Sequence, residues 1–90
     1  MKHHIIVKWN EQVKDKKSLI PEIKKVFESI LNIEGIHSFE LIENIIDRPN
    51  RYDLMIKIDM EENSLPIYDA SEAHHEWKEK YSTLIEKKAI

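Results

Sequence analysis

Apolar and polar residues alternate along two segments of this 90-residue chain, a pattern typical of β-strands with one buried face. Segment 2–10 has a predicted inward face made of His3, Ile5, Val7 and Trp9. The opposite face of that segment carries His4, Ile6 and Lys8. Segment 52–60 repeats the alternation, with an apolar face made of Tyr52, Leu54, Ile56, Ile58 and Met60. Both segments are therefore predicted to be strands.

Between these strands, apolar residues return at the three- and four-residue spacing of an amphipathic helix. The apolar stripe consists of Leu19, Ile20, Ile23, Val26, Phe27, Ile30 and Leu31. Ser18 suits the N-cap of this helix, and Gly35, the lone glycine, suits a left-handed residue at its C-terminal end. Segment 36–46 is rich in β-branched and aromatic residues, which predicts a second strand ending in the turn residues 47–51.

The last third of the chain is predicted to contain two helices. A short helix starts at Asn63 or Ser64 and runs through Tyr68, and a longer one runs from Ser71 to about Glu86. Core positions of the longer helix, at helical spacing, are Trp77, Tyr81, Leu84 and Ile85. Residues 87–90 leave room for a stub of a last strand.

The resulting order, βαββαα with an optional final strand, predicts one α+β domain over residues 1–90. Its architecture is ferredoxin-like, an antiparallel sheet with helices on one face. The other sheet face is predicted to carry Ile6, Ile36, Ile42, Met55, Lys57 and Asp59. Because that mixed face is half apolar, we expect it to pack against the same face of an identical subunit.

Composition excludes several classes of function. The net charge of −3 argues against binding to nucleic acid, which normally requires a basic face. The chain has no cysteine, so thiol catalysis and disulfides are excluded. The N-terminal apolar run, Ile5–Val7, is too short for a signal peptide or a membrane span. We therefore expect a cytoplasmic protein that binds neither nucleic acid nor membrane.

The candidate chemistry lies in Tyr68 and His74, six residues apart. On one continuous helix these side chains would be related by a rotation of about 240° around the axis and would point apart, so they can converge only if the helix breaks between them. Ser71 is a good N-cap and supplies such a break, which puts His74 over the positive end of the helix dipole. A neutral His74 could act as a general base assisted by the Tyr68 phenol. In the alternative, Tyr68 packs against Trp77 and His74 bonds a backbone carbonyl.

The other histidines do not form a metal site by sequence. His3 faces inward and either lines a pocket or is a core histidine, whereas His4 faces the opposite side of the strand. Glu72 and His75 have the Glu-x-x-His spacing of di-iron helical bundles, but the further ligands of such a centre are missing. No metal and no cofactor are therefore expected.

Three motifs together resemble the stress-responsive α/β-barrel domain family, whose members are small dimeric α+β barrels. They are the opening segment Lys2–Val7, the segment Tyr52–Leu54, and Tyr68 with His74, in a region where the family commonly reads Tyr-x-x-His-Pro-x-His. The resemblance implies subunits that pair sheet to sheet, each with a pocket between sheet and helices. It also implies kinship with plant polyketide cyclases, in which a histidine and a tyrosine at the positions of His74 and Tyr68 act on the bound chain. The antibiotic-biosynthesis monooxygenases share the architecture and work without metal or flavin.

The chain departs from the family pattern at two places. Ser71 and Glu72 replace the family's His-Pro, which removes one imidazole, and Leu54 stands where the cyclases carry a further pocket histidine. The resulting hypothesis is a homodimer that binds a small apolar molecule. The predicted pocket residues are His3, Ile5, Val7, Phe27, Leu54, Ile56 and Trp77. The alternatives are a cofactor-independent cyclase-like or monooxygenase-like enzyme, with His74 and Tyr68 catalytic, and a purely structural or interaction module.

Overall fold

A computed structural model describes residues 1–44 and 51–89 of the chain. The strands are β1 (Lys2–Trp9), β2 (Ile36–Glu43), β3 (Leu54–Met60) and β4 (Ile85–Ala89). The helices are α1 (Leu19–Glu28), α2 (Leu65–Asp69) and α3 (Glu72–Tyr81). Short 3-10 turns lead into α1 and α2 and follow α1 and α3. The predicted ferredoxin-like α+β architecture is confirmed.

The four strands form one antiparallel sheet in the order β2-β3-β1-β4. Ile56 lies at its centre, opposite Ile5 of β1 on one side and Leu41 of β2 on the other. Along β3, every second side chain has an exposed fraction of 0%, namely Leu54, Ile56, Ile58 and Met60. This alternation is that of a strand with one face buried under helices.

The helices bury their apolar stripes against that face of the sheet. From α1 the buried side chains are Ile23, Val26 and Phe27, and from α3 they are Ala73, Trp77 and Tyr81. Trp77 contacts three other aromatic side chains. Its ring centroid lies 5.5 Å from that of Phe27, 5.1 Å from that of Tyr81 and 6.4 Å from that of Trp9. These edge-on and tilted contacts join both long helices to β1.

The C-terminal prediction was wrong in its boundaries. The last helix ends at Tyr81 instead of running to Glu86, and the strand expected at 87–90 begins at Ile85. The physical reason is tertiary pairing, since Ile85 lies opposite Trp9 and the Asn10 N–H donates to the Leu84 carbonyl at 2.7 Å. Pairing with the edge of β1 thus places in a strand residues whose spacing also fits a helix.

Local geometry corrects four smaller predictions. A register shift between Ile36 and Ser38 turns Ile36 from the open face into the core. Ser18 does not cap α1, because it belongs to a 3-10 turn and its hydroxyl donates to the Asp15 carbonyl. β3 begins at Leu54 instead of Tyr52, and β2 ends at Glu43. The predicted strand end at 45–46 and most of the predicted turn lie outside the described residues.

The opposite face of the sheet carries a row of apolar side chains. Met55 lies opposite Ile6 on one side and Ile42 on the other, so the three form a row across three strands. Lys57 and Asp59 follow Met55 on the same face of β3, as predicted. We call this surface, made of Ile6, Ile42, Met55, Lys57 and Asp59, the open sheet face.

Candidate functional site

A cavity of about 230 Å³ lies where β1 meets α2 and the start of α3. Its lining residues are His3, Ile5, Leu65, Tyr68, Asp69, His74, Trp77 and Lys88. Apolar walls and three ring-bearing polar side chains therefore share one small space. The predicted pair Tyr68 and His74 is brought together here, with His3, Ile5 and Trp77.

Ser71 makes the turn that brings the pair together. α2 ends at Asp69 and α3 starts at Glu72, so the helical path is broken at the predicted place. The Ser71 hydroxyl donates to the Tyr68 carbonyl at 2.6 Å and accepts from the His74 backbone N–H at 3.2 Å. One side chain thus closes the end of α2 and caps the start of α3.

Tyr68 lies between two imidazole rings. Its ring centroid is 5.0 Å from that of His74, with the planes inclined by 30°, and 5.7 Å from that of His3, with the planes inclined by 65°. Tyr68 is 1% exposed. Within residues 1–44 and 51–89, its hydroxyl and the Nδ1 of His74 are both buried and have no hydrogen-bond partner. The Tyr81 hydroxyl, whose residue does not line the cavity, is likewise buried without a partner in those residues.

Burial, nearly complete for Tyr68 and partial for His3 and His74, favours the neutral form of all three rings. Desolvation lowers the pKa of His3 and that of His74, and the Asp69 carboxylate offsets part of this effect at both. Lys78, His75 and Lys88 lower the pKa of His74 further. Desolvation, with the nearby Asp69 charge, raises the pKa of the Tyr68 phenol. The three rings therefore contribute neutral groups to the cavity wall, whose charged members are Asp69 and Lys88.

Four residues predicted for the pocket are not among those that line this cavity. They are the core side chains Val7, Phe27, Leu54 and Ile56, each with an exposed fraction of 0%. Phe27 packs against Trp77 and the other three lie on the helix-covered face of β1 and β3. The alternation of apolar and polar residues predicts the sheet face on which a side chain lies. It does not predict whether a helix or the cavity covers that position.

Three lining residues were missed by sequence reasoning. Leu65 and Asp69 lie three positions before and one after Tyr68 on α2, so the helical register already placed Leu65 near Tyr68. Lys88 lies opposite Val7 on β4 and shares its face of the sheet. That position depends on the register of β4, for which the sequence offers no signal.

Neither a metal centre nor a membrane span is found in the described part of the chain. No three side chains of the metal-ligating types, His, Cys, Asp and Glu, gather there as a metal ion would require. The Nδ1 of His75 lies 2.9 Å from the Ser71 carbonyl oxygen, so this ring contacts the backbone at the N-terminal end of α3. No helix in the described residues has both the length and the apolar character needed to cross a bilayer.

No protein-family model matches the chain, and no curated protein matches its sequence significantly. Solved structures do match. A dimeric ferredoxin-like protein of unknown function from Bacteroides fragilis has a TM-score of 0.78 at 16% identity, covering 98% of this chain and 88% of that one. A Dabb family protein with a ferredoxin-like fold from Mesorhizobium loti has a TM-score of 0.71 at 15% identity, covering 98% and 88%.

A third match is a hydroxynitrile lyase from Passiflora edulis, with a TM-score of 0.72 at 14% identity, covering 98% of this chain and 85% of that chain. At such identities the matches establish the fold and leave the activity open. The chain therefore has the ferredoxin-like α+β fold of this group of dimeric proteins, and that fold fits the stress-responsive α/β-barrel family that its residues resemble.

Proposed function

We propose that the chain forms a homodimer and that each subunit binds a small, mostly apolar molecule in the cavity between sheet and helices. One observation carries the binding proposal. The cavity of about 230 Å³ combines apolar walls with the polar rings of His3, Tyr68 and His74.

The volume of the cavity limits the size of its ligand. Drug-sized ligands occupy sites of about 300–1,000 Å³, which is more than the 230 Å³ available here. An apolar protein cavity of about 150 Å³ is large enough to bind benzene. The expected ligand is therefore a single ring with one or two small substituents. Ile5, Leu65 and Trp77 provide the apolar walls for such a ring.

The dimer proposal rests on the open sheet face. Ile6, Ile42 and Met55 form its apolar row, each of them half-buried within a single subunit. A second sheet packed on this face would remove that row from water, which favours association. The structural neighbour from Bacteroides fragilis is dimeric, which supports a dimer for this chain as well. Sedimentation should give twice the 10.8 kDa chain mass at micromolar concentration.

Toluene is a suitable probe for the binding proposal, because it is a single apolar ring. We expect a titration followed by NMR to give saturable shifts at the Trp77 indole N–H. Leu65→Phe adds volume at the cavity wall and should abolish these shifts. Leu31→Phe, the same change at an exposed leucine, should leave them intact. Absence of saturable binding in the wild type would refute the proposal and favour a purely structural module.

A second candidate is an enzyme without a cofactor, favoured by the neutral His74 beside the Tyr68 phenol. The hydroxynitrile lyase neighbour suggests the reaction to try. His74 would take the hydroxyl proton of a hydroxynitrile, the carbon–cyanide bond would break as the carbonyl forms, and cyanide would accept the proton. Release of benzaldehyde from mandelonitrile measures this step. Equal rates in the wild type and in His74→Ala would exclude it.

A further inference from the structure

We infer that the cavity binds a zwitterion, a single ring whose short tail carries one ammonium and one carboxylate, with the ring inside and the two charges at the rim between Asp69 and Lys88. An aromatic α-amino acid such as phenylalanine is the simplest example of this class. The inference rests on the proposed binding function and specifies the polar part of its ligand.

The exposure of the lining residues distinguishes a floor from a rim. Ile5, Tyr68 and Trp77 are buried, with exposed fractions of 3%, 1% and 2%. Asp69 and Lys88 are the two lining residues that are exposed, and they are also the two that carry a full charge. Because they both line the cavity and face solvent, we place them at its rim. A ring on the buried floor would then have its tail beside these two charges.

The two rim charges have opposite signs and lie close to the same ring. The Asp69 carboxylate raises the pKa of His74 and the Lys88 ammonium lowers it, so both charges act on one imidazole of the cavity wall. Neither side chain forms an ion pair within residues 1–44 and 51–89. In the described part of the chain, the rim therefore presents one carboxylate and one ammonium that are available to a ligand.

This pair of charges favours a ligand that carries both signs. A singly charged ligand is attracted by one rim residue and repelled by the other, so the two effects largely cancel. A zwitterion can orient its ammonium toward Asp69 and its carboxylate toward Lys88, and it is attracted by both. The flexible four-carbon stem of lysine lets the Lys88 ammonium follow the carboxylate. Both ligand charges stay at the exposed rim, which avoids the cost of burying an ion.

The test compares phenylalanine with phenethylamine, which lacks its carboxylate, and with 3-phenylpropionate, which lacks its ammonium. All three carry the same ring, and NMR titrations at about pH 7, where the amine and carboxylate groups are ionised, give their affinities. We expect phenylalanine to bind about threefold more tightly than either of the others, the size typical of an exposed ion pair. Salt at about 0.5 M should remove most of the difference, because it screens exposed charges.

Substitutions at the rim should change the ligand preference in opposite directions. Asp69→Asn should weaken binding of phenethylamine and strengthen that of 3-phenylpropionate, because the rim then keeps only its cation. Lys88→Gln should do the reverse. Asp15→Asn and Lys87→Gln make the same changes at exposed residues that do not line the cavity, and they should leave all three affinities unchanged.

The outcomes separate the inference from the function on which it rests. Equal binding of the three ligands, or tightest binding of a singly charged one, would overturn the zwitterion preference while leaving the binding function in place. Unchanged affinities in both Asp69→Asn and Lys88→Gln would overturn it as well, because the rim charges would then not contact the ligand. Failure of toluene and of all three charged ligands to bind would refute the proposed function itself.

Discussion

The imidazole of His74 lies on the phenol of Tyr68, with ring centroids 5.0 Å apart, although an unbroken helix would point the two side chains away from each other. The contact depends on the turn at Ser71, whose hydroxyl bonds to both residues. A local feature of three residues, Ser71 and its two partners, therefore creates the central pair of the cavity. A long-range contact from β1 brings the His3 ring next to Tyr68 as well.

Ser71→Ala should destabilise the protein by about 1 kcal/mol, the usual loss for an N-cap side chain. The reason is that the His74 N–H loses its acceptor and the Tyr68 carbonyl loses a donor. Urea denaturation measures the change. Ser18→Ala is a matched control, because Ser18 precedes α1 but makes no cap bond to it. A loss for Ser71→Ala no larger than that for Ser18→Ala would contradict the assigned role.

Acid should weaken the fold through His3 and His74. Both have a pKa in the folded protein below the ordinary value of 6.5, so the unfolded chain binds protons more readily. The stability that results is complete above about pH 6.5 and is lost as the pH falls through the folded-state pKa values. Denaturant midpoints measured at fixed protein concentration between about pH 7.5 and pH 5 should decline accordingly.

The control for this pH dependence is a pair of substitutions. His3→Gln together with His74→Gln should flatten the decline in stability below pH 6.5. His4→Gln, on the exposed, opposite face of β1, should leave it close to that of the wild type. Histidine NMR titrations provide a second check, and midpoints at or above 6.5 for His3 and His74 would contradict the account.

Asp53 should be important for stability although it lies outside the cavity. Its carboxylate, with 10% side-chain exposure, accepts from the Trp9 backbone N–H at 2.7 Å and from Lys16 Nζ at 2.9 Å. Asp53→Asn should cost about 1–3 kcal/mol, because hydrogen bonds to the charged acceptor are lost. Asp59→Asn removes the carboxylate from the exposed pair with Lys2 and should cost less. Equal losses in the two variants would refute the proposed difference.

Gly35→Ala should be strongly destabilising for two separable reasons. Gly35 has a φ of +89°, and a Cβ built there would lie 2.0 Å from the Ser64 hydroxyl oxygen. The backbone conformation alone costs about 1–2 kcal/mol for a residue with a side chain. Ser64→Gly alone loses the hydrogen bond from the Ser64 hydroxyl to the Glu34 carbonyl, so it is the reference for the double variant. Gly35→Ala should cost less in the Ser64→Gly background than in the wild type, by the part due to the steric clash. An equal cost in both backgrounds would show that the contact with Ser64 is not its cause.

Much of the fold was predictable because short-range patterns agree with the tertiary structure. Alternation identified β1 and β3, and the helical stripe identified α1, since one face of each is buried. Where two patterns fit the same residues, the prediction failed. Leu84 and Ile85 fit the α3 helical spacing, but the open edge of β1 decides their conformation. Likewise, the register shift at the start of β2 reverses the face of Ile36 without a signal in the sequence.

The candidate site was likewise predictable from the sequence only in part. Tyr68 and His74 were predictable as neighbours because Ser71 acts within one turn of the chain. Lys88 was not, because it reaches the cavity through the pairing of β4 with β1, about 80 residues earlier in the chain. Nor could the sequence distinguish inward side chains that meet a helix, such as Leu54, from those that meet the cavity, such as Ile5.

A crystal structure of the protein soaked with toluene tests the central claim most directly. The account predicts density for one toluene molecule in the cavity, against Ile5, Leu65 and Trp77. The same crystals should show a second copy of the chain on the open sheet face. A cavity filled by protein side chains, or toluene bound solely elsewhere on the molecule, would contradict the claim.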